Sequence, residues 1–178
     1  MEKGAVAEVL RRGNNPAAAD SWSTAGRNVL TGTGSTLTAF TASTVITSAS
    51  DDGPVAKFTL GEDVNNDTGA HTDTNNRTRP SIHGDVVHSR PLPVNYGDTV
   101  GVTVYYGAND GMLRAVDAGI SHADGSADAS AGRERWAYVA PEHYSKLKRL
   151  KDNTAGVNYN TTETETNAPK DYFFDGSI

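Results

Sequence analysis

The hydrophobic positions along the chain fall into short runs separated by long polar stretches. Within residues 2–12, Val6, Val9 and Leu10 share one helical face, Arg11 and Arg12 lie where the negative end of the helix dipole favours cations, and Gly13 is placed to stop the helix. The following GNNPAAADSWSTAG is turn chemistry. RNVLT and TLTAFTASTVI, separated by Gly32 and Gly34, read as a hairpin. From Ser48 to Pro80 the density of Asn, Asp, Thr and Gly predicts a long surface loop without a core element.

The strongest pattern lies between Gly84 and Pro141. GDVVHSRPLPV is extended, and Pro91 and Pro93, which cannot donate ladder bonds, suit a strand leaving its sheet or running along an edge. GVTVYYG is the strongest strand pattern in the chain; it turns through Ala108-Asn109-Asp110-Gly111 and returns as MLRAVDA, the Asp-Gly pair accommodating positive φ. RERWAYVA follows, with Trp136 and Tyr138 on one face. These four strands form an antiparallel meander. PEHYSKLKRLKDN then predicts a helix with Pro141 at its start and Tyr144, Leu147 and Leu150 on one side. A polar loop rich in Thr and Glu leads to DYFFDGSI, the opening of a further strand.

The expected organisation is a lead-in segment, 1–78, with a short helix, a hairpin and a polar loop, followed by 79–178. The latter holds one four-stranded blade at about 84–140, a helix at about 141–151 and the start of a second blade. The fold class is mainly β: a partial propeller with short helices and long polar loops. Blades repeat about every 40–45 residues, and radial repetition protects sheet edges. A lone four-stranded sheet would leave two edges open, so the chain is expected to be part of a longer protein or to need a partner.

Composition narrows the function. The formal net charge is −6, which argues against a nucleic-acid surface. The absence of cysteine excludes disulfides, thiolate metal sites and a cysteine nucleophile. At 36% apolar residues the core should be thin, yet 18 Gly and 7 Pro are too few for a low-complexity chain. No apolar run approaches the roughly 18 residues of a membrane span, and Glu2 and Glu8 stand where a signal peptide needs an apolar region.

VYYGANDGMLRAVDA followed by ERWAYV resembles the blade signature of quinoprotein-type propellers. The longer ordered series, RPSIHGDVVHSRPLPVNYG, VYYGANDGMLRAVDA, RERWAYVAPEHYSKLKRLKDNT and DYFFDGSI, is similar to the β-propeller domain of the PilC/PilY family of type IV pilus proteins, over about residues 79–178. KGAVAEVLRR, RNVLT and LGEDVNND are weaker matches upstream. The resemblance implies a non-enzymatic module of a large exported protein, cell-surface or pilus-associated, acting in pilus assembly, retraction control, motility and adhesion. Its partners would be pilus components, a host or surface receptor, and the remaining blades. It implies no cofactor here, because the family's calcium loop lies in a later part of the propeller with no counterpart in this sequence. The alternative is a quinoprotein dehydrogenase fragment using pyrroloquinoline quinone and calcium, although no carboxylate base or cation site for it can be placed.

No catalytic, cofactor-binding or metal-binding residue is assigned. Asp63, Asn65 and Asp67 alternate as a calcium loop begins, but Thr68 replaces the loop glycine and Thr74 the bidentate Glu. A solvated turn is preferred, with Asp73 available to a looser site. His83 and His88 point to opposite faces of one extended strand and cannot share a metal, and Ser89 beside His88 lacks an oriented base. The turn accounts for Asn109, Asp110 and Gly111, and Asp117 serves a neighbouring turn. Lys146, Lys148, Arg149 and Lys151 read as a solvated helix end in preference to a site for an acidic partner.

Overall fold

The computed structural model describes residues 5–17, 24, 26–46, 52–67, 78–120, 126, 128–152, 156–157, 167–174 and 176–177. Helix α1 spans Ala5–Arg11 and buries Ala7, Val9 and Leu10, with Ile82 packed against Ala7 and Leu10. It ends where expected, at Gly13 (φ 70°) and Asn14 (φ 58°), a left-handed pair that glycine and asparagine tolerate best. The hairpin also forms: β1, Val29–Thr33, pairs antiparallel with β2, Thr36–Ala39, around Gly34 (φ 63°).

The expected surface loop over Ser48–Pro80 is overturned in part. Asp52–Leu60 is a helix, α2, which buries Val55, Ala56, Phe58 and Thr59, and beyond it Thr78 and Arg79 are buried. The apolar spacing of Val55, Ala56, Phe58 and Leu60 was hidden by polar flanks. Pro54 suits the first helical turn, and packing against the sheet supplies what local propensity lacks.

The meander forms as read. Strands β3, Ser89–Arg90, and β4, Leu92–Asn95, flank Pro91 and are followed by β5, Val102–Ala108, β6, Met112–Gly119, and β7, Glu134–Val139. Strands β4 to β7 are consecutive and antiparallel. Tyr96 N–H donates to Gly101 O, so by the period of two Leu92 and Val94 face β5 and Pro93 faces outward, where no donor is needed.

The meander does not have two open edges. β1 pairs parallel with β7 through Val29↔Ala137 and Leu30↔Tyr138, giving the open six-stranded order β2-β1-β7-β6-β5-β4. The lead-in hairpin therefore closes the β7 edge. A sequence pattern cannot announce a pairing between segments this far apart.

After β7 come a 3₁₀ turn, Pro141–His143, and helix α3, Tyr144–Asp152, with Pro141 at its start as expected. Leu147 is fully buried, and Tyr144 and Leu150 pack beside it. One sheet face, through Val29, Met112, Ala137 and Val139, thus meets α2 and α3 with Phe40 and Phe173. Each fully buried side chain of this size contributes about 1.5–3 kcal/mol. Two-residue strands complete the topology: β8, Gly156–Val157, beside β9, Asn167–Ala168, and β10, Gly176–Ser177, parallel to β3. The expected strand opening in DYFFDGSI is β10. Among the described residues no helix is long and apolar enough to cross a membrane.

Phe174 lies against Gly107 near the end of β5. A Cβ added at Gly107 would collide with Cβ of Phe174 and lie 3.0 Å from its carbonyl oxygen. Gly107→Val should therefore expel the Phe173-Phe174 segment and cost about 2–3 kcal/mol through the exposure of Phe173. Urea unfolding, with hydrogen exchange at residues 172–177, checks it; unchanged protection there would contradict the fit.

Candidate functional site

Among the described residues the most concentrated chemistry is a buried ionic network on the helix-covered sheet face. The sharp turn between β5 and β6 puts Asp110 four residues before Arg114, and the two form a fork: Nη1 to Oδ1 at 2.9 Å and Nη2 to Oδ2 at 2.6 Å. Arg114 Nε donates to Glu134 Oε2 at 3.1 Å across the β6–β7 ladder. From the lead-in segment, Arg27 donates from Nε and Nη2 to the two oxygens of Glu134, both at 2.9 Å. All four side chains are at most 5% exposed. Asn14 closes the array: its amide donates to Glu134 O at 2.7 Å and its carbonyl accepts from Glu134 N at 2.8 Å.

Titration of both acids in the network is displaced. Burial pushes the Asp110 carboxyl up, but the charge and hydrogen bonds of Arg114, with His83 and the Gly84 N–H, outweigh it and hold the group below the usual carboxylate range. Burial acts likewise on Glu134 and is outweighed by Arg27 and Arg114. Burial pulls Arg79 down to about 10, still a cation at neutral pH. Its guanidinium donates to Phe58 O and Ser81 O and lies 4.0 Å from the centre of the Phe58 ring. Tyr106, raised by burial to about 12, lies 2.8 Å from His83 Nε2. His83 Nδ1 is 2.6 Å from Gly84 O, which only accepts, so Nδ1 carries the proton and Nε2 accepts from the Tyr106 hydroxyl.

His83 supplies a prediction. Burial, reinforced by the charge of Arg114, lowers it from 6.5 to about 4. Between those values the unfolded chain binds more protons, so this group's stabilisation is complete above about pH 6.5 and fades as the pH falls towards 4. Going from pH 7.5 to 4.5 should remove about 2.5 kcal/mol through this group, read from urea midpoints. His83→Gln should lose correspondingly less over the same interval; an equal loss would contradict the assignment.

The residues singled out in the sequence are dispersed. In the turn after α2, Asp63 Oδ1 accepts from Asp67 N at 2.8 Å and the Asn65 amide donates to Lys151 O at 2.7 Å, with Asn66 at φ 57°. That is the expected Asn/Asp turn; Thr68, Asp73 and Thr74 lie outside the described residues. Among the described residues no three His, Cys, Asp or Glu side chains gather as metal ligands. The His88 ring stacks on Tyr172 at 4.6 Å, and Ser89 Oγ accepts from Gly107 N at 2.8 Å.

Asp110 needs a correction, because the turn does not fully account for it. Besides Met112 N, its oxygens serve Gly84 N and both terminal nitrogens of Arg114. The Asn109 amide donates to Asp85. Asp117 does serve a neighbouring turn, accepting from Gly119 N and Ser130 Oγ. The basic helix end is engaged within the fold: Lys148 and Lys151 reach Asp152, Arg149 pairs with Asp171, and Lys146 lies 3.5 Å from Tyr172 O.

Arg27, Asn14, Arg114 and Glu134 were missed by pattern reading. For Arg114 a signal existed, since Met112, Arg114 and Val116 alternate on one face and a charge in phase with two apolar residues needs a buried counter-charge. For Glu134 the phase is broken by a bulge opposite Ala115 and Val116. Chemically the network is closed, with each carboxylate oxygen of Asp110 and Glu134 paired to an arginine, so it can fix the strands and the lead-in segment relative to one another. These features define a mainly β protein with an open mixed sheet and a buried ionic centre. No family model matches the chain, and no curated protein or solved structure matches it.

Proposed function

We propose that this chain is a non-enzymatic structural and interaction module, a partial propeller belonging to a type IV pilus assembly, retraction-control and adhesion factor of the PilC/PilY kind. The observation that carries the reading is the uninterrupted antiparallel meander β4–β5–β6–β7, with Asn109-Asp110-Gly111 at its central hairpin, lying inside the ordered sequence resemblance. On this reading the module works at the cell surface or on the pilus, inside a longer exported protein, with pilus components, a surface receptor and further blades as partners. Any calcium belongs to those further blades.

Deletion of the coding gene, with restoration in trans, tests the reading in the organism that carries it. Pilus number and surface attachment should fall on deletion and return on restoration; no change in either would sink it. A titration with pyrroloquinoline quinone and calcium separates the enzymatic class. Stoichiometric quinone binding with alcohol oxidation would replace the pilus reading by a dehydrogenase.

A further inference from the structure

Among the described residues, the outer edge of the β1–β2 hairpin has no strand beside it. Phe40 N–H donates to Val29 O at 2.8 Å, so by the period of two Thr36 and Thr38 bond to β1, while the N–H and C=O of Leu37 and Ala39 point away from it. All four residues of β2 are exposed, Leu37 at 63%. The side chains that usually guard such an edge are missing. No residue from Asn28 to Ser50 is charged, and none is proline. The opposite edge of the same sheet differs, because β4 turns Pro93 outward, where an arriving strand finds no donor.

We propose that β2 pairs with β2 of a second copy, antiparallel across a two-fold axis at Thr38, so that two sheets join into one. An antiparallel strand is its own complement. Leu37 of each copy faces Ala39 of the other, each outward N–H meeting an outward C=O, for about four backbone hydrogen bonds in all. Charge selects the same partner. Each copy has a net charge of −6, and the stretch around β2 is a surface on which two such chains meet without bringing like charges together. Pro93 at the far edge keeps the contact from repeating, so association closes at two copies instead of growing into a filament. Four residues bury less than the roughly 1,200 Å² of stable complexes, which makes the pair a weak one that forms at high concentration. The inference goes beyond the pilus reading and stands or falls separately from it.

Sedimentation equilibrium of the full-length chain up to about 1 mM, the weak end of specific affinity, tests it. The mass should rise reversibly from one copy to two and no further. Leu37→Lys should hold the chain at one copy without moving its urea midpoint, since Leu37 is exposed and its backbone groups bond nothing in β1. The chain lacks cysteine, so Thr38→Cys introduces a single thiol. On the axis two such residues stand about 4.5 Å apart at Cα, within reach of a disulfide. Oxidised at high concentration, Thr38→Cys should cross-link between copies at least about tenfold faster than Leu92→Cys, exposed on the β4 edge, and adding Leu37→Lys should remove the excess. A chain that stays at one copy to about 1 mM leaves this edge to a strand of another protein and overturns the proposal. Growth beyond two copies, or a Thr38→Cys rate no greater than that of Leu92→Cys, overturns it as well.

Discussion

Arg114→Met should destabilise the protein by about 3–5 kcal/mol, the range for breaking a buried ion pair from one side. The side chain is 1% exposed and neutralises two carboxylates, Asp110 and Glu134. Without it Asp110 is left buried with Gly84 N and Met112 N as donors, and Glu134 retains Arg27 alone among its arginines. Both acids should then rise in pKa, so the folded state binds protons more nearly as the unfolded chain does and the variant's stability should climb less steeply with pH than the parent's through the acid range. Replacing Asp110, Arg114, Glu134 and Arg27 together by apolar residues of similar size should cost much less, because no unpaired charge remains. Urea unfolding of the single and fourfold variants decides it: a single-variant loss below about 1 kcal/mol would mean that water reaches the network.

Asn14→Ala should cost about 3 kcal/mol, from two buried backbone groups of Glu134 left unpaired and from alanine's poor tolerance of a φ of 58°. The loss should be local in character. Asn14 joins the end of α1 to the start of β7, so protease cleavage within residues 5–17 should accelerate before the meander is affected. Equal acceleration at both would show that α1 and the sheet open as one unit. Asn14→Gly should be milder in backbone strain while losing the same hydrogen bonds, which separates the two contributions.

Local patterns were legible where a short stretch decides its own geometry. The helix stop at Gly13, the Gly34 and Asp110-Gly111 turns, the edge position of Pro93 and the Pro141 helix start all follow from single-residue chemistry. The helix at Asp52–Leu60 was lost because its apolar residues are few and their burial depends on distant strands. The ionic centre was hidden for the same reason. Arg27 and Glu134 are 107 positions apart, and neither neighbourhood says that the other exists. Only the phase of Arg114 between Met112 and Val116 pointed inward.

The parallel pairing of β1 with β7 also fixes an order of events during synthesis. Val29 meets Ala137, which is added 108 residues later, roughly 5–20 s behind at ribosomal rates of about 5–20 residues per second. Through that interval the β1–β2 hairpin has no sheet to join, and Arg27 has no Glu134 to meet. The meander, whose strands are neighbours in the chain, can assemble as soon as β7 emerges and then serve as the template on which the earlier segment docks. Of these two paired strands the earlier to be made is thus the later to be placed, and a nascent chain halted before Glu134 would display an unclaimed strand to whatever surrounds it.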